Sequence, residues 1–166
     1  MKANSSVAAI LTQMNIAAAN LAADLATEYL YELGSSAVAS FYSDYDPKYY
    51  NRSYLLYNTV NRYTSKISAP GVASGGILMS ADNIGGYNGT PEQVYDATIM
   101  NGIHGFTEQV PTVMNPSPYQ LIEKDFESQR EMLKQRFANE ACAIVKAQLA
   151  SKLANAVRQE VKSNAR

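Results

Sequence analysis

The sequence predicts an α+β fold in which two long helices flank a small antiparallel β-sheet and a short middle helix. An alanine-rich segment with apolar residues at every third or fourth position occupies the first quarter of the 166-residue chain. Aromatic and β-branched residues, which favour strands, then concentrate in residues 54–67. After Pro118 neither glycine nor proline occurs, which predicts a second long helix.

The first helix is predicted from residue 7 onward, with residues 4–6 (Asn-Ser-Ser) as its N-cap. Its apolar face consists of Val7, Leu11, Met14, Ala18, Leu21, Leu25 and Tyr29. Gly34 leaves two alternatives, because it can end the helix or lie within it at a cost of about 1 kcal/mol. The helix must stop before Pro47, and residues 44–47 are expected to form a turn.

Two strands and a short helix are expected in the middle of the chain. Residues 54–67 form the first predicted strand, Pro70 and Gly71 end it, and residues 77–79 form the second. Residues 83–89 have the composition of a loop. Thr90 and Pro91 then provide an N-cap and a first helical position, and Gly102 ends the middle helix. Residues 102–105 close this segment as a turn, and the stretch from there to residue 115 is expected to be irregular.

The last helix, residues 119–163, is predicted to be roughly 65 Å long, which exceeds the ~40 Å diameter of a compact domain of this size. Its apolar residues recur every four positions from Leu133 to Val161, so each step overshoots a turn by about 40°. The two ends therefore bury different faces. We expect one domain, residues 1–166, with this helix projecting onto a neighbouring subunit; a kink near Asn139 and Glu140 that folds the helix back is the alternative.

Composition indicates an assembly protein more than an enzyme. Apolar residues make up 46% of the chain and charged residues 17%, and the net charge of −1 offers no field that attracts nucleic acid. The charge is uneven, since the first 44 residues are acidic and the last 26 are basic. A nucleic-acid-binding module that uses this basic end is therefore an alternative hypothesis.

Few residues are available for chemistry. The chain has one histidine, His104, and one cysteine, Cys142, which exclude an intrachain disulfide and a zinc site of the usual ligands. His104 lies in a Gly-Ile-His-Gly sequence typical of a structural turn, and Cys142 is expected in the core or at an interface. We expect no catalytic residue, metal or cofactor. The apolar runs are shorter than the ~18 residues that span a membrane.

Six of the twelve tyrosines lie in residues 41–59. Lys48 and Arg52 interleave with them and Arg62 follows shortly after, but Asp44 and Asp46 oppose these basic residues, so a subunit interface is favoured over a platform for stacking bases. The residues expected at subunit interfaces are Tyr45, Tyr49, Tyr50, Arg52, Tyr54, Tyr57, Val145, Leu149, Leu153 and Val157.

Residues 45–56, Tyr-Asp-Pro-Lys-Tyr-Tyr-Asn-Arg-Ser-Tyr-Leu-Leu, resemble a Tyr-x-Pro-x-x-Tyr-x-Arg-Thr-x-x-Leu motif of small bacteriophage structural proteins, with Ser53 in place of threonine. Residues 101–105, Asn-Gly-Ile-His-Gly, are similar to a turn that follows the middle helix in the same proteins. These are the head-tail joining, or tail-completion, proteins of long-tailed phages. The order of helices, motifs and strands is also similar from about residue 5 to residue 160.

The resemblance implies an α+β subunit of a homo-oligomeric ring, with six-fold or twelve-fold symmetry, in the neck through which DNA leaves the head. The expected partners are neighbouring neck, portal-side or tail proteins, and DNA passes without sequence-specific contact. The protein is expected in the virion, after assembly in the host cytoplasm, with no enzymatic activity and no membrane partner. A tail terminator, an adaptor and another virion subunit are alternatives.

Overall fold

The computed structural model describes residues 2–43, 54–84, 89–104, 112–113 and 116–164, with side chains described for 9–43, 54–84, 89–104 and 116–151. The elements in order are α1 (Lys2–Ser43), a 3₁₀ helix (Leu55–Thr59), β1 (Val60–Ser65), β2 (Ser74–Met79), α2 (Pro91–Tyr95), β3 (Ile103–His104), β4 (Thr112–Val113) and α3 (Pro118–Asn164). The fold is α+β, with two long helices, an antiparallel two-stranded sheet and a short middle helix, which confirms the predicted class.

Helix α1 is longer than the sequence predicted at its start. It begins at Lys2, so residues 4–6 lie inside the helix and their predicted role as an N-cap is wrong. Lys2 and Ala3 are good helix formers, and nothing there stops the helix from extending. Gly34 lies within α1, so the second of the two alternatives is correct. The turn predicted at residues 44–47 lies outside the described residues.

The predicted first strand is divided. Residues 55–59 form a 3₁₀ helix, and only residues 60–65 are a strand. Leu56 and Thr59 lie on the buried side of the 3₁₀ helix, three positions apart, and the Thr59 hydroxyl donates to the Leu56 carbonyl over 2.7 Å. Strand β2 is longer than predicted. β3 and β4 also form an antiparallel ladder that pairs Ile103 with Val113; β3 lies where a turn was expected, and β4 lies in a stretch expected to be irregular.

Helices α2 and α3 begin with the same reciprocal pair of side chain–backbone hydrogen bonds. Thr90 and Gln93 form a capping box, in which each side chain bonds the backbone N–H of the other. Ser117 and Gln120 make the same reciprocal pair at the start of α3. Helix α2 continues as a π-helical turn through Asp96–Met100, which ends before Gly102 at φ 65°.

The chain contains two compact units. Unit 1 comprises Met1–Leu25, Thr64–Gly75 and Met132–Arg166, and unit 2 comprises Ala26–Tyr63 and Gly76–Glu131. The core of unit 2 packs α1 against the 3₁₀ helix, the sheet and the middle helix. Its buried residues are Val38, Phe41, Tyr42, Leu56, Val60, Ile84, Val94 and Ile99.

The core of unit 1 joins α1 to α3 through small side chains. Its buried cluster consists of Ala18, Ala141 and Val145, with Met14, Leu21, Ala22 and Leu25 partly buried around it. Helix α3 is a continuous helix through residues 139–140. Cys142 is exposed, which excludes the predicted place in the core of this chain.

Within unit 2, the Thr27 side chain of α1 forms a hydrogen bond with the backbone of each strand of the sheet. Its hydroxyl donates to the Tyr63 carbonyl of β1 over 3.0 Å and accepts from the Gly76 N–H of β2 over 3.1 Å. Thr27 is buried, so these bonds are shielded from water. Seven residues further along α1, Gly34 lets the backbone approach the sheet. A Cβ atom at Gly34 would lie 2.9 Å from Val60 Cγ1 and 3.1 Å from Ile77 Cδ1.

The substitution Gly34→Ala is expected to destabilise the protein. The added methyl group overpacks the contact with Val60, which costs about 1–3 kcal/mol and exceeds the ~1 kcal/mol that alanine gains over glycine in a helix. Urea unfolding followed by circular dichroism measures the change. Gly76→Ala is the matched control, because its Cβ meets no atom within 4 Å. A Gly34→Ala protein as stable as the wild type contradicts the close packing.

The substitution Thr27→Val is expected to cost about 1–3 kcal/mol of unfolding free energy. Valine keeps the shape of threonine but leaves the Tyr63 carbonyl and the Gly76 N–H without this bridging hydroxyl. Thr27→Ser keeps the hydroxyl and should lose less. If the Thr27→Ser protein unfolds at a lower temperature than the Thr27→Val protein, the packed methyl group of Thr27 contributes more to stability than its hydrogen bonds.

Candidate interaction surface

In unit 2 the exposed rings of Tyr54 and Tyr57 both pack against the buried ring of Tyr42. Tyr54 is 53% exposed and Tyr57 is 38% exposed. The ring of Tyr42, on α1, is only 9% exposed, and its centroid lies 5.0 Å from that of Tyr54 and 5.3 Å from that of Tyr57. The Leu56 N–H donates to the Tyr42 hydroxyl over 3.0 Å. The two exposed rings are therefore held in place before any partner binds. We call Tyr42, Tyr54 and Tyr57 the tyrosine platform.

The backbone of Tyr54 is strained. Its φ is 57° and its ψ is 16°, the left-handed region that costs a residue with a side chain about 1 kcal/mol or more. This conformation directs the chain into the 3₁₀ helix. The contact between the rings of Tyr54 and Tyr42 offsets part of the cost, so the strained turn and the platform depend on each other.

An open groove of about 450 Å³ lies beside the platform. Its lining residues are Tyr31, Tyr57, Asn58, Val60, Asn61, Arg62 and Asn83. The lining combines aromatic rings with side-chain amides, which can donate and accept hydrogen bonds. Tyrosine and arginine are enriched at protein–protein interfaces, so the groove has the composition of a protein-binding surface.

Arg62 is fixed along this groove by two residues of α1. Its Nε and Nη2 donate to the two carboxylate oxygens of Glu28 over 2.8 and 3.0 Å, and its guanidinium lies 3.4 Å from the ring centroid of Tyr31. The hydrogen bond to Glu28 raises the pKa of Arg62 above its ordinary value. Because Glu28 already pairs with this positive charge, we expect the groove to contact a partner through its rings and amides.

His104 packs inside unit 2. It is 7% exposed, lies in β3 and stacks on Phe41 with ring centroids 3.8 Å apart and planes 11° apart. The sequence placed it in a turn; the positive φ of that sequence belongs to Gly102. A ring buried in this way acts as a packing element. In the described part of the chain, no three His, Cys, Asp or Glu residues come together as a metal site.

The other residues predicted at interfaces have different outcomes. Tyr45, Tyr49, Tyr50 and Arg52 lie outside the described residues, as do the side chains of Leu153 and Val157. Leu149 is partly buried. Val145 is 9% exposed because α1 of its own unit covers it, so it does not face solvent in this chain.

Sequence reasoning missed Tyr42 as the support of the platform, and it missed Glu28, Tyr31 and Arg62. The sequence does indicate that Glu28 and Tyr31 are neighbours on α1, because residues three apart share a helix face. Nothing in the sequence, however, indicates which strand residue meets that face, since Glu28 and Arg62 are 34 positions apart.

Comparisons with protein-family models, with curated proteins and with solved structures gave no match to this chain. Among the residues that the structure describes, none of the helices combines the length and the apolar character needed to cross a membrane.

The substitution Tyr42→Phe is expected to destabilise the protein by about 1–3 kcal/mol while leaving the ring contacts in place. It removes the acceptor of the buried Leu56 N–H, which then has no bond from this hydroxyl. Urea unfolding measures the loss. Tyr63→Phe is a control, because Tyr63 is exposed on β1. Equal stability of the Tyr42→Phe and wild-type proteins contradicts a supporting role for the hydroxyl.

Proposed function

We propose that this chain is a structural subunit of a ring at the head-tail junction of a long-tailed bacteriophage. The proposal begins from the resemblance of residues 45–56 and 101–105 to motifs of head-tail joining proteins. The order of elements along the chain, a long helix, a small sheet, a short helix and a second long helix, agrees with the fold that this resemblance implies.

The observation that carries the proposal is the tyrosine platform. Tyr54 belongs to the motif-like segment and Tyr57 follows it closely, and both present large, ordered, exposed rings. Rings of this kind bury area at a small entropic cost when a partner covers them. An exposed aromatic cluster with a defined geometry is expected of an assembly surface, and a solvated loop has no need of one.

In this function the subunits form a closed homo-oligomer around the path of the DNA. The DNA passes without sequence-specific contact, and the ring joins neighbouring neck, portal-side or tail proteins in the virion. The subunit performs no catalysis. Its role is structural, because a ring offers a binding surface at each end and an opening at its centre. Six-fold and twelve-fold rings are the proposed symmetries.

Light scattering of the purified protein, followed by electron microscopy of the particles, tests the ring. The proposed function predicts a closed ring with a central opening at high protein concentration. A monodisperse monomer over the whole concentration range, with no binding to isolated phage heads or tails, contradicts it.

The double substitution Tyr54→Ala and Tyr57→Ala is expected to weaken assembly by about tenfold or more, because it removes two exposed aromatic anchors. Sedimentation velocity measures the distribution of oligomers, and circular dichroism checks that the helices persist. Tyr63→Ala is the matched control, since Tyr63 is exposed to a similar degree but lies outside the platform. Equal assembly of the double variant and the wild type argues against the platform as a contact surface.

A nucleic-acid-binding module is a second candidate, favoured by the basic last 26 residues. It predicts DNA binding whose affinity falls steeply with salt and weakens when Lys152, Arg158 and Lys162 become alanine. Fluorescence anisotropy with a short duplex measures this. Absence of binding at low salt removes the candidate.

A further inference from the structure

The net charge of −1 hides a separation of charge between the two compact units. Unit 1 contains nine Lys and Arg against three Asp and Glu, a formal charge of +6, whereas unit 2 contains five against twelve, a formal charge of −7. Together these give the −1 of the whole chain. Each unit by itself is thus strongly charged, and the two charges are opposite and nearly equal.

Helix α3 shows the separation within one element. Its residues 118–131, which belong to unit 2, contain four acidic and two basic residues, whereas residues 132–164, which belong to unit 1, contain six basic and two acidic residues. Favourable interaction with the helix macrodipole reaches only the first and last turns, so it does not account for charges spread along 47 residues.

Among the described side chains, some of these charges are exposed at the surface of each unit. On α3, Glu123 and Glu127 are exposed in unit 2, and Arg136 and Lys146 are exposed in unit 1. Ion pairs within the units join Lys66 to Asp24 in unit 1 and, in unit 2, Arg62 to Glu28 and Arg130 to Glu127, the last over 3.7 Å and between exposed side chains. The remaining excess in each unit has the opposite sign to the excess in the other.

Exposed apolar side chains accompany the charge. Unit 1 exposes Ile10, Leu11 and Met132, and its buried cluster consists of two alanines and one valine. Unit 2 exposes Tyr54, Tyr57 and Leu78. Both units therefore offer exposed apolar area beside their net charge, and in a protein contact apolar area supplies affinity while charges supply orientation and rate.

We propose that the basic unit 1 of one copy binds the acidic unit 2 of a second copy. Such a contact joins two different surfaces, so each added copy leaves one unit of each sign for the next copy, and the series ends when it closes into a ring. The inference deepens the proposed function, since it rests on assembly of the chain with itself. Unit 2 of a second copy fits better than DNA, because its −7 nearly balances the +6 of unit 1, whereas DNA on unit 1 would leave the −7 of every unit 2 unbalanced.

Two matched charge reversals test the contact. Glu123→Lys with Glu127→Lys takes unit 2 from −7 to −3 and the chain to +3; Arg136→Glu with Lys146→Glu takes unit 1 from +6 to +2 and the chain to −5. All four positions are exposed, so circular dichroism should show unchanged helix content. Both reversals are expected to weaken self-association by about tenfold or more, although they move the net charge in opposite directions. Raising the salt concentration should weaken the wild type too.

Mixing the two variants is the decisive experiment. The unit-2 variant keeps a native unit 1, and the unit-1 variant keeps a native unit 2, so sedimentation velocity should show a one-to-one complex from two proteins that fail to assemble alone. Self-association that neither reversal weakens overturns the inference. So does binding of a DNA duplex at low salt that the first variant strengthens and the second weakens, without any association of copies.

The results of these experiments distinguish a failure of the charge contact from a failure of the proposed ring. A salt-sensitive pair of copies, with recovery on mixing, supports the charge contact and contradicts the ring. A closed ring that is insensitive to both reversals supports the ring and overturns the charge contact.

Discussion

The close approach of α1 to the β-sheet in unit 2 is the constraint on which the rest of that unit depends. Gly34 has no side chain, so the helix backbone meets Val60 and Ile77 directly, and the buried Thr27 hydroxyl bonds a backbone group of each strand. A two-stranded sheet is marginally stable by itself and needs a packed face. Here one helix supplies both the packing and the hydrogen bonds, and that docking fixes where β1 begins.

The tyrosine platform follows from this docking. Tyr42 lies eight residues beyond Gly34 on the same helix and is part of the buried core. Once α1 is fixed against the sheet, the Tyr42 ring and hydroxyl determine the positions of Tyr54, Leu56 and Tyr57. The strained backbone of Tyr54 is tolerated because its surroundings hold it. Core packing and the exposed surface are therefore one arrangement, and a change to Tyr42 affects both.

Local signals predicted the helices, and non-local contacts decided what the sequence analysis missed. The cap at Thr90, the stop at Gly102 and the absence of breakers after Pro118 each act within a few residues, so the sequence was sufficient. The 3₁₀ helix depends on Tyr42, the pairing of β3 with β4 joins residues eight and ten apart, and Arg62 reaches Glu28 across 34 positions. The tyrosine-rich composition drew attention to Tyr54 and Tyr57, but it did not indicate that Tyr42 supports them. The opposite charges of the two units appear only when residues distant in sequence are grouped by the fold.

In the proposed assembly, copies of this chain join through surfaces of opposite charge. Carbodiimide coupling tests it most directly, because the reagent links a lysine amine to a carboxylate only where the two are in contact. Equal amounts of ¹⁴N- and ¹⁵N-labelled protein are mixed, coupled and digested, and mass spectrometry identifies links that join one label to the other. Contact between these surfaces predicts mixed-label links between lysines of unit 1 and acidic residues of unit 2. Links confined to single-label pairs, at concentrations where the protein is oligomeric, would contradict it.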